Sequence, residues 1–143
     1  MSKYQSGETF ERDSTVFTLP NNVGATSGRL GVVYKNIQFT GEYVLKINDP
    51  NADNGYIFKR GESIFINGAF SKKGFGVTAS AKYVDNMAFR SDRDALLFDV
   101  PINFLPAITR QHTYNLAATL YPYATVLNGE VGVSGELFYT FKK

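Results

Sequence analysis

Asp49, Asn51 and Asp53 stand at the one-three-five spacing with which an oxygen-rich loop begins to wrap a calcium ion. Two departures weaken that motif. The turn glycine, Gly55, comes one place late, and the twelfth position holds Arg60 where a bidentate Glu belongs. Asp-Pro and Asn-Gly pairs are also what an ordinary hairpin loop uses. A second cluster, Arg90, Asp92, Arg93 and Asp94, has the charges for a constriction or a ligand-binding loop. Exposed ion pairs of this sort contribute only about 0–1 kcal/mol, so a solvated loop is the expected reading. His112 is the one histidine and there is no Cys, which removes His-cluster metal sites, thiolate sites and disulfides. Gly74-Phe-Gly76 lacks the helix that phosphate binding at a glycine turn requires. No acid, base and nucleophile converge. The expectation is a non-enzyme without cofactor or metal, whose loops offer at most interaction residues: Asp49, Asn51, Asp53, Arg90, Asp92 and Arg93.

A different set of polar residues depends on the elements that carry it. In the stretch 37–47, Ile37, Phe39, Tyr43, Leu45 and Ile47 fall on one side, and Gln38, Thr40, Glu42 and Lys46 on the other. A period of two marks a strand with one apolar and one wet face. Eleven residues is close to the roughly 9–11 that a tilted strand needs to cross a bilayer. Upstream, Leu30, Val32 and Tyr34 alternate the same way, and Lys35-Asn36 fits a two-residue hairpin loop that places Tyr34 beside Ile37.

The design recurs. Ile64, Ile66 and Phe70 share a face, and Phe75, Val77, Ala79, Ala81 and Tyr83 continue it if Lys72-Lys73 is the loop, with Phe70 opposite Phe75. Phe98, Val100, Ile102 and Phe104 form another apolar face, interrupted by Pro101, which cannot donate a ladder bond. Residues 113–141 read as one long hairpin around Asn128-Gly129, unless Pro122 turns 121–129 into a loop. Residues 1–26 are polar and read as a loosely ordered or extended lead-in, followed by an antiparallel meander over 27–143. No helix is expected. Short connections near 35, 72 and 105 alternate with longer polar ones near 50, 90 and 125.

Two architectures carry such alternation. In a soluble sandwich or lipocalin-like barrel, the apolar face packs inward and the polar face meets water. In a membrane barrel, the apolar face meets lipid and the polar face lines the lumen. Strand length favours the barrel, as does the placing of Tyr34, Tyr43, Tyr83, Tyr121, Tyr139 and Phe141 toward strand ends, like an interfacial girdle. Gln38, Glu42, Lys46, Lys82 and Glu136 then become candidate lumen-facing residues able to tune solute selectivity. The rest of the composition is neutral on this choice. Net charge is +2, with scattered basic residues and no sign of a nucleic-acid partner. Mean hydropathy is −0.19. The first residues show no export signal, and the chain stops within a strand pattern, so it reads as a piece of a longer protein.

Three stretches stand out as Gly-Arg-Leu-Gly-Val-Val-Tyr-Lys-Asn (28–36), Glu-Tyr-Val-Leu-Lys-Ile-Asn-Asp-Pro (42–50) and Asp-Asn-Met-Ala-Phe-Arg-Ser-Asp-Arg (85–93). Three more are Leu-Pro-Ala-Ile-Thr-Arg-Gln-His-Thr-Tyr (105–114), Leu-Tyr-Pro-Tyr-Ala-Thr (120–125) and Asn-Gly-Glu (128–130). On these stretches the chain resembles a family of outer-membrane β-barrel proteins of unknown function from Bacteroidota. The resemblance implies an internal piece of a larger barrel in the outer membrane of a Gram-negative bacterium, with lipid and the remaining barrel strands as its partners. It implies no activity. The sequence leads to a porin-like wall segment with a structural, solute-passage or surface role, and to a soluble β-rich module binding a glycan or a protein as the alternative.

Overall fold

The computed structural model describes residues 2–3, 7–95 and 125–141. The expected strand at 98–104 and the first arm of the 113–141 hairpin lie outside the described residues.

Alternating sequence gives long strands. β1 (Ser2–Lys3), β2 (Thr9–Arg12), β3 (Thr15–Thr18) and β4 (Asn22–Val23) are short, and β5 (Ala25–Tyr34) and β6 (Ile37–Lys46) follow at ten residues each. A single 3-10 turn (Ala52–Asn54) precedes β7 (Gly61–Lys72), β8 (Phe75–Asp85) and β9 (Glu130–Tyr139). The protein is all-β and antiparallel, with β5-β6-β7-β8-β9 forming one five-stranded meander. The segment read as a loose lead-in carries a β2–β3 hairpin and a β1–β4 pairing in its described part. Among the described residues the large sheet does not close. β5 and β9 are its two edges, and they run in the same direction.

The register sorts side chains into two faces. On one face, successive rows across the sheet are Tyr34, Ile37, Phe70, Val77, Leu137, then Val32, Phe39, Gly68, Ala79, Gly135. Leu30, Gly41, Ile66, Ala81, Val133 come next, then Gly28, Tyr43, Ile64, Tyr83, Val131. The other face carries Val33, Gln38, Ala69, Thr78, Glu136, then Gly31, Thr40, Asn67, Ser80, Ser134, then Arg29, Glu42, Phe65, Lys82, Gly132. Period-two alternation has become one apolar and one mainly polar surface.

The turn between β5 and β6 falls at Lys35-Asn36 with Tyr34 opposite Ile37, as the spacing requires. Lys35 takes a left-handed φ of 51° to close it. The next turn is Lys73-Gly74 and not Lys72-Lys73, because Gly74 adopts a φ of 81° without a steric cost. Phe70 therefore faces Val77, not Phe75. A shift of two residues leaves every side chain on its expected face.

The tight two-residue turn expected at Asn128-Gly129 is not formed: in the described part 125–129 is loop, in line with the alternative reading that makes 121–129 a loop. β9 pairs with β8 through Val84 opposite Glu130 to Phe75 opposite Tyr139. Thr125 and Val126 are not in a strand; the Val126 N–H donates to the Glu130 side chain at 2.7 Å, and the Met87 N–H to the Leu127 carbonyl at 2.8 Å. β8 and β9 are therefore direct neighbours in the sheet. Short turns mark one end of the sheet, and the long connections after β6 and β8 mark the other.

The interior is unlike that of a soluble sandwich. The buried apolar residues among those described are Leu19, Val23, Val84, Met87, Ala88 and Phe89, all outside the apolar face. That face is itself exposed, whereas the polar face is largely half-buried or buried. Along β9 the inversion is residue by residue: Val131, Val133 and Leu137 are exposed, while Gly132, Ser134 and Glu136 are half-buried.

At the loop end the backbones pack closely. A Cβ placed on Gly61 would sit 2.2 Å from the Asn86 carbonyl oxygen and 3.0 Å from the Lys46 Cε. Gly61→Ala is expected to destabilise the fold by about 1–3 kcal/mol, since a backbone oxygen must move. Urea unfolding followed by circular dichroism measures this directly.

Candidate functional site

The long connections converge over the polar face at the end of the sheet where β6 finishes and β7 begins. Lys46, the last residue of β6, points under these loops and is fully buried, as is Asp49. Its ammonium group lies 3.4 Å from the Asp49 carboxylate and donates to the Ala88 carbonyl. Asn51 donates from its amide to the same carboxylate at 3.1 Å and to the Ala88 carbonyl at 3.3 Å. A desolvated cation and anion are tolerated only with such additional hydrogen bonds.

The 3-10 turn builds the rest. The Asn51 side chain accepts from the Asn54 N–H at 3.1 Å, and the Asn54 side chain accepts from the Asn51 N–H at 3.0 Å, a reciprocal cap. Gly55, one place late for a calcium loop, closes the turn in the left-handed region at φ 65°. The Asn54 amide reaches the Asp49 carbonyl at 2.8 Å and the Asn86 side chain at 2.9 Å. Asp53 takes Arg90 at 2.7 Å, and the Asp53 carbonyl takes the Asn128 amide at 2.7 Å. Arg93 pairs with Glu8 at 3.0 Å and donates to the carbonyls of Pro50 and Pro20 at 3.2 and 2.6 Å. Lys82 pairs with Glu130 at 2.6 Å and donates to the Thr125 hydroxyl at 2.9 Å. Loops from four parts of the chain are thus tied to the polar face by charge.

Of the sequence-predicted loop residues, Asp49, Asn51, Asp53, Arg90 and Arg93 are brought together in this cluster. Asp92 is exposed and only caps its own loop, accepting from the Asp94 N–H at 3.0 Å. Gln38, Glu42, Lys46, Lys82 and Glu136 all belong to the polar face by register. They do not form one ring. Lys46 and Lys82 lie buried under loops, Glu42 pairs with exposed Arg29, and Gln38 and Glu136 sit nearer the short turns. Sequence reading missed Glu8, Asn54, Asn86 and Glu130, whose partners come from distant segments. Asn54 belonged to the same Asp/Asn run as Asp53, a usable signal.

The arrangement is bonded internally and presents no nucleophile beside a base. Among the described residues no group of three or more His, Cys, Asp or Glu side chains is placed to hold a metal ion. An open recess lies beside the cluster, lined by Asp53, Asn54, Ile57, Lys59, Asp85 and Asn128. Lys59 pairs with Asp85 at 2.5 Å, and that hydrogen-bonded partner raises its pKa.

On the outer side, Tyr56 stacks on Phe10 with ring centroids 4.3 Å apart and donates to Asp94. Partial burial, then that hydrogen bond and the charge of Asp94, push its phenol up to about 12. The folded state holds this proton more tightly than the unfolded chain, whose Tyr titrates near 10. The contribution of Tyr56 to stability is thus complete below about pH 10 and lost as pH rises through about 12. Ultraviolet titration is expected to show a late phenolate component that Tyr56→Phe removes.

Comparison with known proteins adds one finding. A family model, DUF6029, described as a family of unknown function, matches residues 1–143. The chain belongs to DUF6029. No curated protein and no solved structure matches this DUF6029 chain. No helix among the described residues of the DUF6029 chain is long and apolar enough to cross a membrane, which says nothing about crossing by strands.

Proposed function

We propose that this DUF6029 chain forms part of the wall of an outer-membrane-type β-barrel, with its apolar face against lipid and its polar face inward. One observation carries the reading: the sheet is apolar on its exposed face and polar on its covered face. Leu30, Val32, Ile37, Phe39, Ile64, Ile66, Val131, Val133 and Leu137 are all exposed in consecutive rows. In water such a contiguous surface is an aggregation liability or an interaction site. In a bilayer it is the ordinary outer surface of a barrel. Strands of 10 to 12 residues match the roughly 9–11 that a tilted crossing takes.

The role is structural, or one of solute passage or surface interaction, and it is not catalytic. The ion-paired loops over one end of the polar face support a wall whose interior is partly filled by its own connections. The Gram-negative outer membrane is the compartment that fits. Purification decides the matter. The chain is expected to require detergent and to float with lipid vesicles in a density gradient; a monodisperse chain in detergent-free buffer would end the lipid-facing assignment.

A second reading has its own observation. The recess of Asp53, Ile57, Lys59, Asp85 and Asn128 mixes hydrogen-bonding groups with one exposed apolar side chain, a lining suited to a sugar. Glycan-array binding by a detergent-free form of the chain would favour a soluble binding module.

A further inference from the structure

The short-turn end of the sheet is built from three chain segments stitched side by side. The Ser71 N–H donates to the Asn36 carbonyl at 2.9 Å, joining the two hairpin turns, and the Thr140 N–H donates to the Gly74 carbonyl at 2.9 Å, joining β9 to the second. This end carries Lys35, Lys72 and Lys73, all exposed. The last three rows, from Tyr34–Ile37–Phe70–Val77–Leu137 outward, contain no carboxylate among the described residues; the first acid met is Glu136, one row further in.

On the apolar face Tyr34 and Phe70 stand one same-face row inside Lys72, Phe75 and Tyr139 share the row of Lys72, and Phe141 follows Tyr139 two residues on. Phe70 and Phe75 rings are 6.2 Å apart, Tyr139 and Phe141 meet edge to face at 4.9 Å, and Lys35 lies 5.2 Å over the Tyr34 ring. The opposite end of the sheet is different, because its cations are matched there by Asp49, Asp53, Asp85 and Glu130. Among the described residues the short-turn end is a one-sign rim set in an aromatic band.

We propose that this rim seats on the anionic headgroups of a phospholipid leaflet, with Lys35, Lys72 and Lys73 as the phosphate-facing cations. The inference rests on the lipid-facing reading of the apolar sheet face and adds to it an orientation and a lipid class. Aromatic rings settle at the headgroup level, and long lysine side chains reach past them to phosphate. Short turns lie on the periplasmic side of outer-membrane barrels, which places the rim at the phospholipid leaflet.

The test uses the full chain and the triple variant K35Q/K72Q/K73Q, diluted from detergent into two kinds of vesicle. One is phosphatidylcholine alone, the other phosphatidylcholine mixed with phosphatidylglycerol. The native chain is expected to insert in both and to favour the anionic vesicles. The variant should lose on the order of a hundredfold of that preference, at about fivefold for each of the three lysines, while inserting normally into phosphatidylcholine. Raising the salt concentration on the native chain should have the same effect without any substitution. Equal insertion of the native chain into both vesicles, or a preference that survives in the variant, overturns the rim and leaves the membrane reading standing. Failure to insert into either removes the membrane reading and the rim together. Capture by heparin as strong as by anionic vesicles, and lost in the variant, would mark a general anion surface and also overturn the proposal.

Discussion

Replacing Lys46 by Ala should cost about 3–5 kcal/mol of stability, the largest single-residue effect expected in this chain. The substitution removes the cation beside the Asp49 carboxylate, which is at 0% exposure and also accepts from Asn51. It also removes the ammonium group that ties β6 to the Ala88 carbonyl, so the loop following β8 loses one of its anchors. Asp49→Ala should be comparably harmful, because it strands the cation instead. The double replacement K46M/D49L should be milder than either single change. It removes both charges with similar volume and leaves Asn51 bonded to Ala88. Urea unfolding of the four proteins in one detergent, followed by circular dichroism, gives the coupling energy. If the double variant is as unstable as the sum of the two singles, the pair is not acting as a unit.

The second large effect separates the two environments of the sheet. Val133 stands in the middle rows of the apolar face beside Ala81, and is 78% exposed. Val133→Arg on a water-exposed surface should change stability by no more than about 0.5 kcal/mol. At the midplane of a bilayer it should cost about 2–4 kcal/mol. The neighbouring residue supplies the control, since Ser134 belongs to the polar face. Ser134→Arg should be tolerated much better than Val133→Arg in lipid vesicles. Equal tolerance of the two would place the apolar face in water. The comparison needs no knowledge of any ligand.

The alternation of Ile37, Phe39, Tyr43 and Leu45 against Gln38, Glu42 and Lys46 was legible in the sequence, because a strand's side-chain period depends on nothing outside the strand. The Lys35-Asn36 turn was legible for the same local reason. Lys72-Lys73 was misplaced by one residue, since the preference of Gly74 for a left-handed φ outweighed the spacing. Asn128-Gly129 misled further. As a dipeptide it favours a hairpin, but the Leu127 carbonyl is engaged by Met87 and Glu130 is drawn to Lys82, so 125–129 is held as a loop against the end of β8.

The cluster was readable only in halves. Asp49, Asn51 and Asp53 stood out by their spacing, and Arg90 and Arg93 by their charge. That Arg90 meets Asp53 and Arg93 meets Glu8 follows from how distant loops fold together, which no local pattern encodes. The burial of Lys46 and Lys82 was hidden for the same reason: a strand fixes which way a side chain points, and distant loops decide whether water reaches it.

The shared direction of β5 and β9 has an arithmetic consequence. A cylinder of alternating strands closes only when its two seam strands point opposite ways, and five strands leave both seams pointing alike. Whatever completes this sheet with antiparallel seams must therefore contribute an odd number of strands, and the finished ring has an even count. A symmetric ring of identical copies about an axis along the strands, each offering these five alone, would be forced into a parallel seam at every junction. By parity, the five described strands alone could not be the repeating unit of an alternating cylinder.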